Sequence, residues 1–366
     1  MRKLTLVDVF AGCGGMTRGF VDSGYFEPLL AIEADPDAAA TYAANFGHDH
    51  MDQRPIEQLE TFPSADVLIG GPPCQGFSPL NRQAVGFERR GLWREYLRAL
   101  KAVGPNAFVM ENVPELLRSA EYTAFKKRAT KLGFKIEEKV LNAADFGVPQ
   151  RRMRAIVIGV RRGPVPWPAQ THDEDSWATF RDAVAGLPRT PNGIDWHSKR
   201  SPRPESIVRY RAVPMNGGNR FQMQEKLDAE ELGHLVPRCW REKPTGTTDV
   251  FGRLWWDRPA VTIRTEFHKP EKGRYLHPEA HRPITLREAA RCMSFEDSFE
   301  FPQTQSMTSV ARQIGNAVPP LMARRIAEAL GSQLGPDTSR RPGGKVHALR
   351  DTTHEGRSRR LASRHA

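Results

Sequence analysis

Cysteine is scarce in this chain: four residues in 366, at positions 13, 74, 239 and 292. No two form a CxxC pair, which excludes a zinc knuckle and a dithiol redox centre. So few thiols in so long a chain indicate a reducing, cytoplasmic setting and argue against a disulfide-stapled secreted fold. Long apolar runs are missing as well, and none nears the roughly 20 residues that span a bilayer. The N-terminus is basic and then apolar, but Asp8 interrupts the run, so it reads as a first core strand and not as a signal peptide. There is no internal repeat, which excludes solenoids and propellers. Acidic excess is absent too: 54 Lys and Arg against 43 Asp and Glu give +11. The expected partner is a polyanion, nucleic acid first. Residues 331–366 hold eight Lys/Arg against three acids, so the tail carries +5 and the rest +6.

What is present suffices for a sizeable core, with 39% hydrophobic residues and a length that suggests about two domains. Leu4 to Phe10 reads as a buried strand, Ala11-Gly12-Cys13-Gly14-Gly15 as a glycine loop, and Met16 to Asp22 as a helix. Strand, glycine loop and helix N-terminus make the first half of a nucleotide-type site. Leu29 to Ile32 is a second strand ending in Glu33, an acid placed to hold a ribose diol. The pattern is GxGG and not GxGxxG, which weakens a nicotinamide reading and leaves S-adenosylmethionine open. Helices are expected over Pro36–Phe46, Leu92–Val103, around 114–132, Leu286–Met293 and Leu321–Leu330. Further strands are expected at Asp66–Ile69, Ala107–Met110, Ile136–Leu141 and Ala155–Val160, and a turn over Gln313–Pro320. Residues 161–281 are rich in Pro, Gly, Arg and Trp and poor in periodicity, so they read as a separate irregular region. Residues 335–366 carry few large apolar side chains and read as a basic disordered tail.

The strand at 66–69 runs into Gly70-Gly71-Pro72-Pro73-Cys74-Gln75-Gly76-Phe77-Ser78. Two glycines and two prolines force a turn, and a cysteine on such a turn is displayed as a nucleophile would be. The other reading of Cys74 is a buried structural thiol, the commoner fate of a free cysteine, and Cys13, Cys239 and Cys292 take that reading. Glu111 sits at another strand's carboxyl end, the edge where open α/β sheets bind ligands. It could equally be an acid at a helix N-terminus ahead of Val113-Pro114. Arg152 and Arg154 alternate on an extended segment and should face one side, towards a substrate or as a solvated basic strand. Arg151 fits the solvated, phosphate-facing reading better.

Taken together, DVFAGCGG at 8–15, GGPPCQGFS at 70–78, ENV at 111–113, QRRMR at 150–154, RPITLREAAR at 282–291 and QIGNAVPP at 313–320 resemble the DNA (cytosine-5)-methyltransferases, of bacterial restriction–modification or orphan type. The resemblance covers about residues 4–330. It departs from the family pattern at Cys292-Met293-Ser294-Phe295-Glu296, where Leu-Gln-Gly-Phe-Pro is usual, and at Met51, where a glycine usually precedes the acid. It implies an α/β, Rossmann-like S-adenosylmethionine-dependent methyltransferase sheet with a smaller irregular target-recognition domain. The implied layout is a discontinuous catalytic domain at 1–160 and 310–334, target recognition at 161–309 and the tail at 335–366.

The resemblance further implies the site roles. Cys74 would attack carbon 6 of cytosine, Glu111 would hydrogen-bond ring nitrogen 3 with a raised pKa, and Arg152 or Arg154, or both, would contact the base. For S-adenosylmethionine, Phe10 would stack on adenine, although ordinary core packing is its other reading. Gly12 and Gly14 would face the methionine part, Glu33 the ribose and Asp52 the adenine amino group. Pro73 and Asn316 would complete the wall, Asn316 being otherwise a turn-former. Gln75, Ser78 and the loop Pro79–Gly91 would close on a flipped nucleotide. Arg220 in Asn216–Arg220 and Arg264 in Thr262–Thr265 would read flanking bases. The implied partners are double-stranded DNA and a cognate restriction endonuclease, with the chain a monomer. The competing functions are tRNA cytosine-5 methylation and a DNA-binding homologue without catalysis.

Overall fold

A computed structural model describes residues 2–73, 91–198, 201–242 and 248–335. Apolar runs punctuated by glycine and polar turns become seven strands of one sheet: β1 (Leu4–Val9), β2 (Phe26–Ile32), β3 (Met51–Asp52), β4 (Val67–Gly70), β5 (Ala107–Asn112), β6 (Lys135–Asn142) and β7 (Met153–Val160). Their order is β3-β2-β1-β4-β5-β7-β6, with β7 antiparallel to both neighbours and the other pairs parallel. The chain winds outward from β1 through β2 to β3, then restarts on the other side at β4. The crevice between the carboxyl ends of β1 and β4 is therefore the topological switch point, where such sheets bind ligands. The glycine loop after β1 and the Pro-Pro turn after β4 both open there.

Both faces are covered, as the continuous apolar character of β1, β4 and β5 requires. On one face lie α1 (Gly15–Asp22) and, from the far end of the chain, α11 (Pro320–Leu334). Phe20, Met322, Ile326 and Leu330 pack there with Leu4, Leu6 and Ile69. On the other face α3 (Leu92–Val103) and α4 (Ala120–Lys131) supply Tyr96, Leu100 and Phe125 against Val7, Leu68 and Phe108. Beside them, α2 (Pro36–Phe46) is capped by Asp35, whose carboxylate accepts the Ala38 N–H at 3.1 Å.

The second region carries α5 (Phe180–Ala183), α6 (Pro204–Ala212), α7 (Arg220–Ala229), α8 (Arg238–Arg241) and α9 (Leu286–Cys292), followed by α10 (Met307–Asn316). Between 161 and 281, the described residues pair as strands only at isolated bridges. Buried arginines take the place of a ladder. Arg253, fully buried, donates to the carbonyls of Tyr210, Val213, His277 and Ala280 at 2.6–3.0 Å. Two sequence expectations change. Gln313 to Asn316 is the last turn of α10 and not a loop, because the capping serine at Ser306 starts a helix that only the prolines at 319 and 320 stop. Strand β5 runs two residues further than expected, so Glu111 is inside the ladder and does not head a helix. No helix among the described residues is long and apolar enough to cross a membrane.

Candidate active site

The glycine loop is fixed by sterics before it is fixed by any ligand. Phe10 adopts a left-handed φ of 61° and Gly14 one of 89°. A Cβ on Gly14 would lie 2.4 Å from the Phe46 ring, so only glycine fits there. Gly12 is also left-handed, with open space where a side chain would project. Its N–H donates to Glu33 Oε2 at 2.8 Å, while the Asp35 N–H donates to Oε1 at 2.8 Å. Glu33 thus ties the loop after β1 to the start of α2. Burial raises its pKa, and those backbone N–H groups oppose the shift. Asp52, at the end of β3, is held by Arg54 through bonds of 2.8 and 2.6 Å. Phe10 is half-buried and Asn316 exposed at the end of α10. Gly12, Glu33 and Asp52 therefore stand at the carboxyl ends of successive strands β1, β2 and β3.

Glu111 is the acid of the next sector. Its Oε1 lies 2.9 Å from Arg154 Nε, and both side chains are largely buried. Burial pushes the Glu111 carboxyl up, and Arg154 followed by Arg152 opposes that. Gly71 makes the approach possible: a Cβ there would stand 3.1 Å from Glu111 Oε2. The acid therefore rests against the turn whose next residues are Pro72, Pro73 and Cys74. Asn112 anchors that turn by donating to the Pro72 carbonyl at 2.8 Å while accepting the Val113 N–H at 2.9 Å. Cys74, Gln75, Ser78 and the loop residues 79–90 lie outside the described residues, as do residues 336–366.

Three expectations change. Arg152 does not share Arg154's opening. It is 1% exposed, and its guanidinium donates to the carbonyls of Ile263, Gly315 and Ala317 at 2.9–3.0 Å. Arg220 is buried and stacks on Phe221 at 4.5 Å and Trp240 at 5.9 Å, which is not the exposed placement expected of a base-reading arginine. In the same stretch Asn216, which is exposed, accepts the Trp256 N–H at 2.8 Å, and Asn219 caps α7. Cys239 is exposed, unlike Cys13 and Cys292, whose thiols burial pushes up, Cys13 to about 12. Arg264, by contrast, is exposed as a contact residue must be.

Sequence reasoning passed over three buried polar residues. Asn112 was visible only as the middle of ENV. Gln150, at the head of QRRMR, accepts the Ile263 N–H at 2.9 Å and donates to the Cys292 carbonyl at 3.2 Å. Asp8 is buried under the glycine loop and accepts from Thr17 Oγ1 at 2.6 Å. Burial raises its pKa to about 7 against that hydrogen bond. A polar residue inside an apolar strand, as Asp8 is, was the available signal.

The arrangement places a buried acid with a raised pKa, its arginine partner and the Gly71–Pro73 turn beside a glycine loop tied to Glu33. The comparisons agree with it. The model of the C-5 cytosine-specific DNA methylase family matches residues 4–332. The chain is similar to the Type II methyltransferase M1.HphI of Haemophilus parahaemolyticus, at 34% identity over 90% of this chain and 87% of that one. It is 31% identical to the Type II methylase M.HgiDII of Herpetosiphon aurantiacus, over 89% of this chain and 94% of that one. The S. pombe Dnmt2 methyltransferase shares the fold at a TM-score of 0.61 and 18% identity, over 91% of this chain and 98% of that one. The chain therefore belongs to the C-5 cytosine-specific DNA methylase family, and is a bacterial enzyme that methylates cytosine in DNA.

Proposed function

We propose that the chain transfers a methyl group from S-adenosylmethionine to carbon 5 of a cytosine flipped out of duplex DNA, at a short specific sequence, through a covalent adduct with Cys74. The observation that carries this reading is the Glu111–Arg154 pair, held 2.9 Å apart against Gly71 in the turn that leads to Cys74.

S-adenosylmethionine fits the residues of the crevice. Open space at Gly12 leaves room for the methionine part, Glu33 offers carboxylate oxygens to a ribose, and Asp52 stands one strand further for the adenine amino group. Phe10, Gly14, Pro73 and Asn316 supply the remaining wall. When bound, the cofactor supplies an electrophilic methyl. The chain's own task is to make carbon 5, a poor nucleophile, reactive. Cys74 sulfur adds as thiolate to carbon 6, and the ring electrons move towards nitrogen 3, which takes the proton of Glu111. Arg154 holds the carboxyl in place and stabilises it once it has lost that proton. Carbon 5 then carries the enamine electron density. After methylation it gives up its proton to solvent, the sulfur leaves as thiolate, and nitrogen 3 returns its proton to Glu111.

A base within a duplex cannot reach this turn, so the nucleotide is extruded at a cost of a few kcal/mol. Gln75 and Ser78 would face it, and residues 161–309, with Arg264 exposed, would read its neighbours. The names of the relatives, Type II methyltransferases, support a partner endonuclease acting on the same site.

The experiment is bisulfite sequencing of host DNA from cells expressing the chain or Cys74→Ser. The expected result is protection of one cytosine in one short sequence by the wild type only. Folded wild-type protein that protects no cytosine would sink the reading. A competition between duplex DNA and tRNA for tritiated methyl separates it from the tRNA alternative.

A further inference from the structure

The carboxyl edge of the sheet holds one buried charge whose partners come from elsewhere in the chain. Arg152 donates to Ile263 at 3.0 Å, to Gly315 at 2.9 Å and to Ala317 at 3.0 Å, always to the carbonyl oxygen. These acceptors lie 111 to 165 residues away in sequence. Each has a telling neighbour. Ile263 precedes Arg264, the exposed arginine of the recognition region. Gly315 and Ala317 bracket Asn316, exposed at the end of α10 and assigned to the cofactor wall in the reading above. Two residues along, Arg154 holds Glu111.

Two further contacts close the same junction without using the arginine. A Cβ on Gly315 would stand 2.5 Å from the Arg264 carbonyl carbon and from the Thr265 nitrogen, so α10 and this segment touch backbone to backbone. Gln150, also buried, fixes the Ile263 N–H at 2.9 Å. A guanidinium is planar and its donors are fixed in direction, so it holds three carbonyls in one relative placement only. Pulling one carbonyl away would expose a buried cation to partial desolvation, which is costly. The segments at 263–265 and 315–317 are therefore held to move together.

We propose that Arg152 is a positioning residue that couples the cofactor wall to the target-reading segment. A shift of Asn316 when the cofactor crevice fills is passed through Arg152 to Ile263 and Arg264, so that donor binding and duplex binding favour each other. The proposal rests on the reading above, in which Asn316 lines the cofactor site and Arg264 meets DNA. Such coupling is reciprocal, so it can be read from either ligand.

The test is a binding cycle with S-adenosylhomocysteine as the probe and the duplex sequence found by bisulfite sequencing. In the wild type, S-adenosylhomocysteine should tighten duplex binding by about fivefold or more, the lower end of ordinary coupling. Arg152→Lys keeps the charge but cannot span three carbonyls. It should reduce the coupling to about twofold or less, while S-adenosylhomocysteine alone binds within about threefold of wild type. Gly315→Ala should do the same through the other contact. A variant of either kind with undiminished coupling overturns the proposal, as does a wild type that binds both ligands independently. Hydrogen exchange on the wild type covers variants that fail to fold: S-adenosylhomocysteine alone should slow exchange of the Ile263 and Thr265 amides, and unchanged rates overturn the proposal. A wild type that binds neither ligand would sink the functional reading itself, and the coupling with it.

Discussion

At Glu111 two forces act in opposite directions, and the balance decides the chemistry. Burial disfavours the carboxylate, and Arg154 at 2.9 Å favours it. The net direction is upward, which is the direction that the proposed donation to ring nitrogen 3 needs. Turnover should therefore decline as pH rises through the group's folded-state pKa, with a pH–rate profile as the measurement. Glu111→Gln should lower turnover by roughly 10²–10⁴, the usual range for a lost general acid, and should flatten that limb of the profile. The linked effect on stability has the same direction. The folded-state pKa lies above the ordinary 4.5, so the folded chain holds a proton that the unfolded chain has released. Stability accordingly falls as pH rises across that window. Glu111 was legible in the sequence because an acid at a strand's end is conspicuous. The roles of Arg152 and Arg154 were only half legible. Alternation in a strand says that both point to one face, but not what covers that face. Here the cover comes from Ile263, Gly315 and Ala317, and the sequence offers no local sign of them.

At the scale of elements, the departures from the family pattern after α9 have physical compensations. Ser294 stands where the pattern has glycine, and it is left-handed at φ 63°. Its hydroxyl accepts the Leu321 N–H at 3.1 Å, satisfying a donor in the first turn of α11 across 27 residues. Met293 stands where glutamine is usual, and its sulfur is 2.8 Å from Gln150 Nε2. Left-handed geometry costs a non-glycine residue about 1–2 kcal/mol, and a hydrogen bond returns about 1 kcal/mol. Ser294→Gly loses the bond and the strain together and should leave the melting temperature close to wild type. Ser294→Ala loses the bond and keeps the strain, so it should be about 1 kcal/mol less stable than wild type. Thermal unfolding of the two variants checks the order, and an alanine variant as stable as the glycine one would show that the strain term does not operate. Most helices and strands could be read from periodicity. The turn expected at Gln313–Pro320 could not, because Gly315 suggested a break. Its actual role is to let α10 lie against Arg264 and Thr265.

For the molecule as a whole, the last helix and the basic segment after it have different roles. The helix α11 closes the fold that β1 begins: Met322, Ile326 and Leu330 are buried with Leu4, Leu6 and Phe20. Burying each such side chain is worth about 1.5–3 kcal/mol, so the three together rival the net stability of an ordinary domain. A chain ending at residue 319 should therefore fail to fold cooperatively. Residues 336–366 carry net +5 of the total +11. Each phosphate neutralised steepens the fall of log affinity with log salt by about 0.9 on duplex DNA. A chain ending at residue 335 should keep its melting temperature and its methylation sequence, while its binding to unrelated duplex weakens at low salt and the salt slope becomes shallower. Titrations at several salt concentrations measure that slope for both chains. An unchanged slope would mean that the +6 left on residues 1–335 accounts for the electrostatic attraction to DNA by itself.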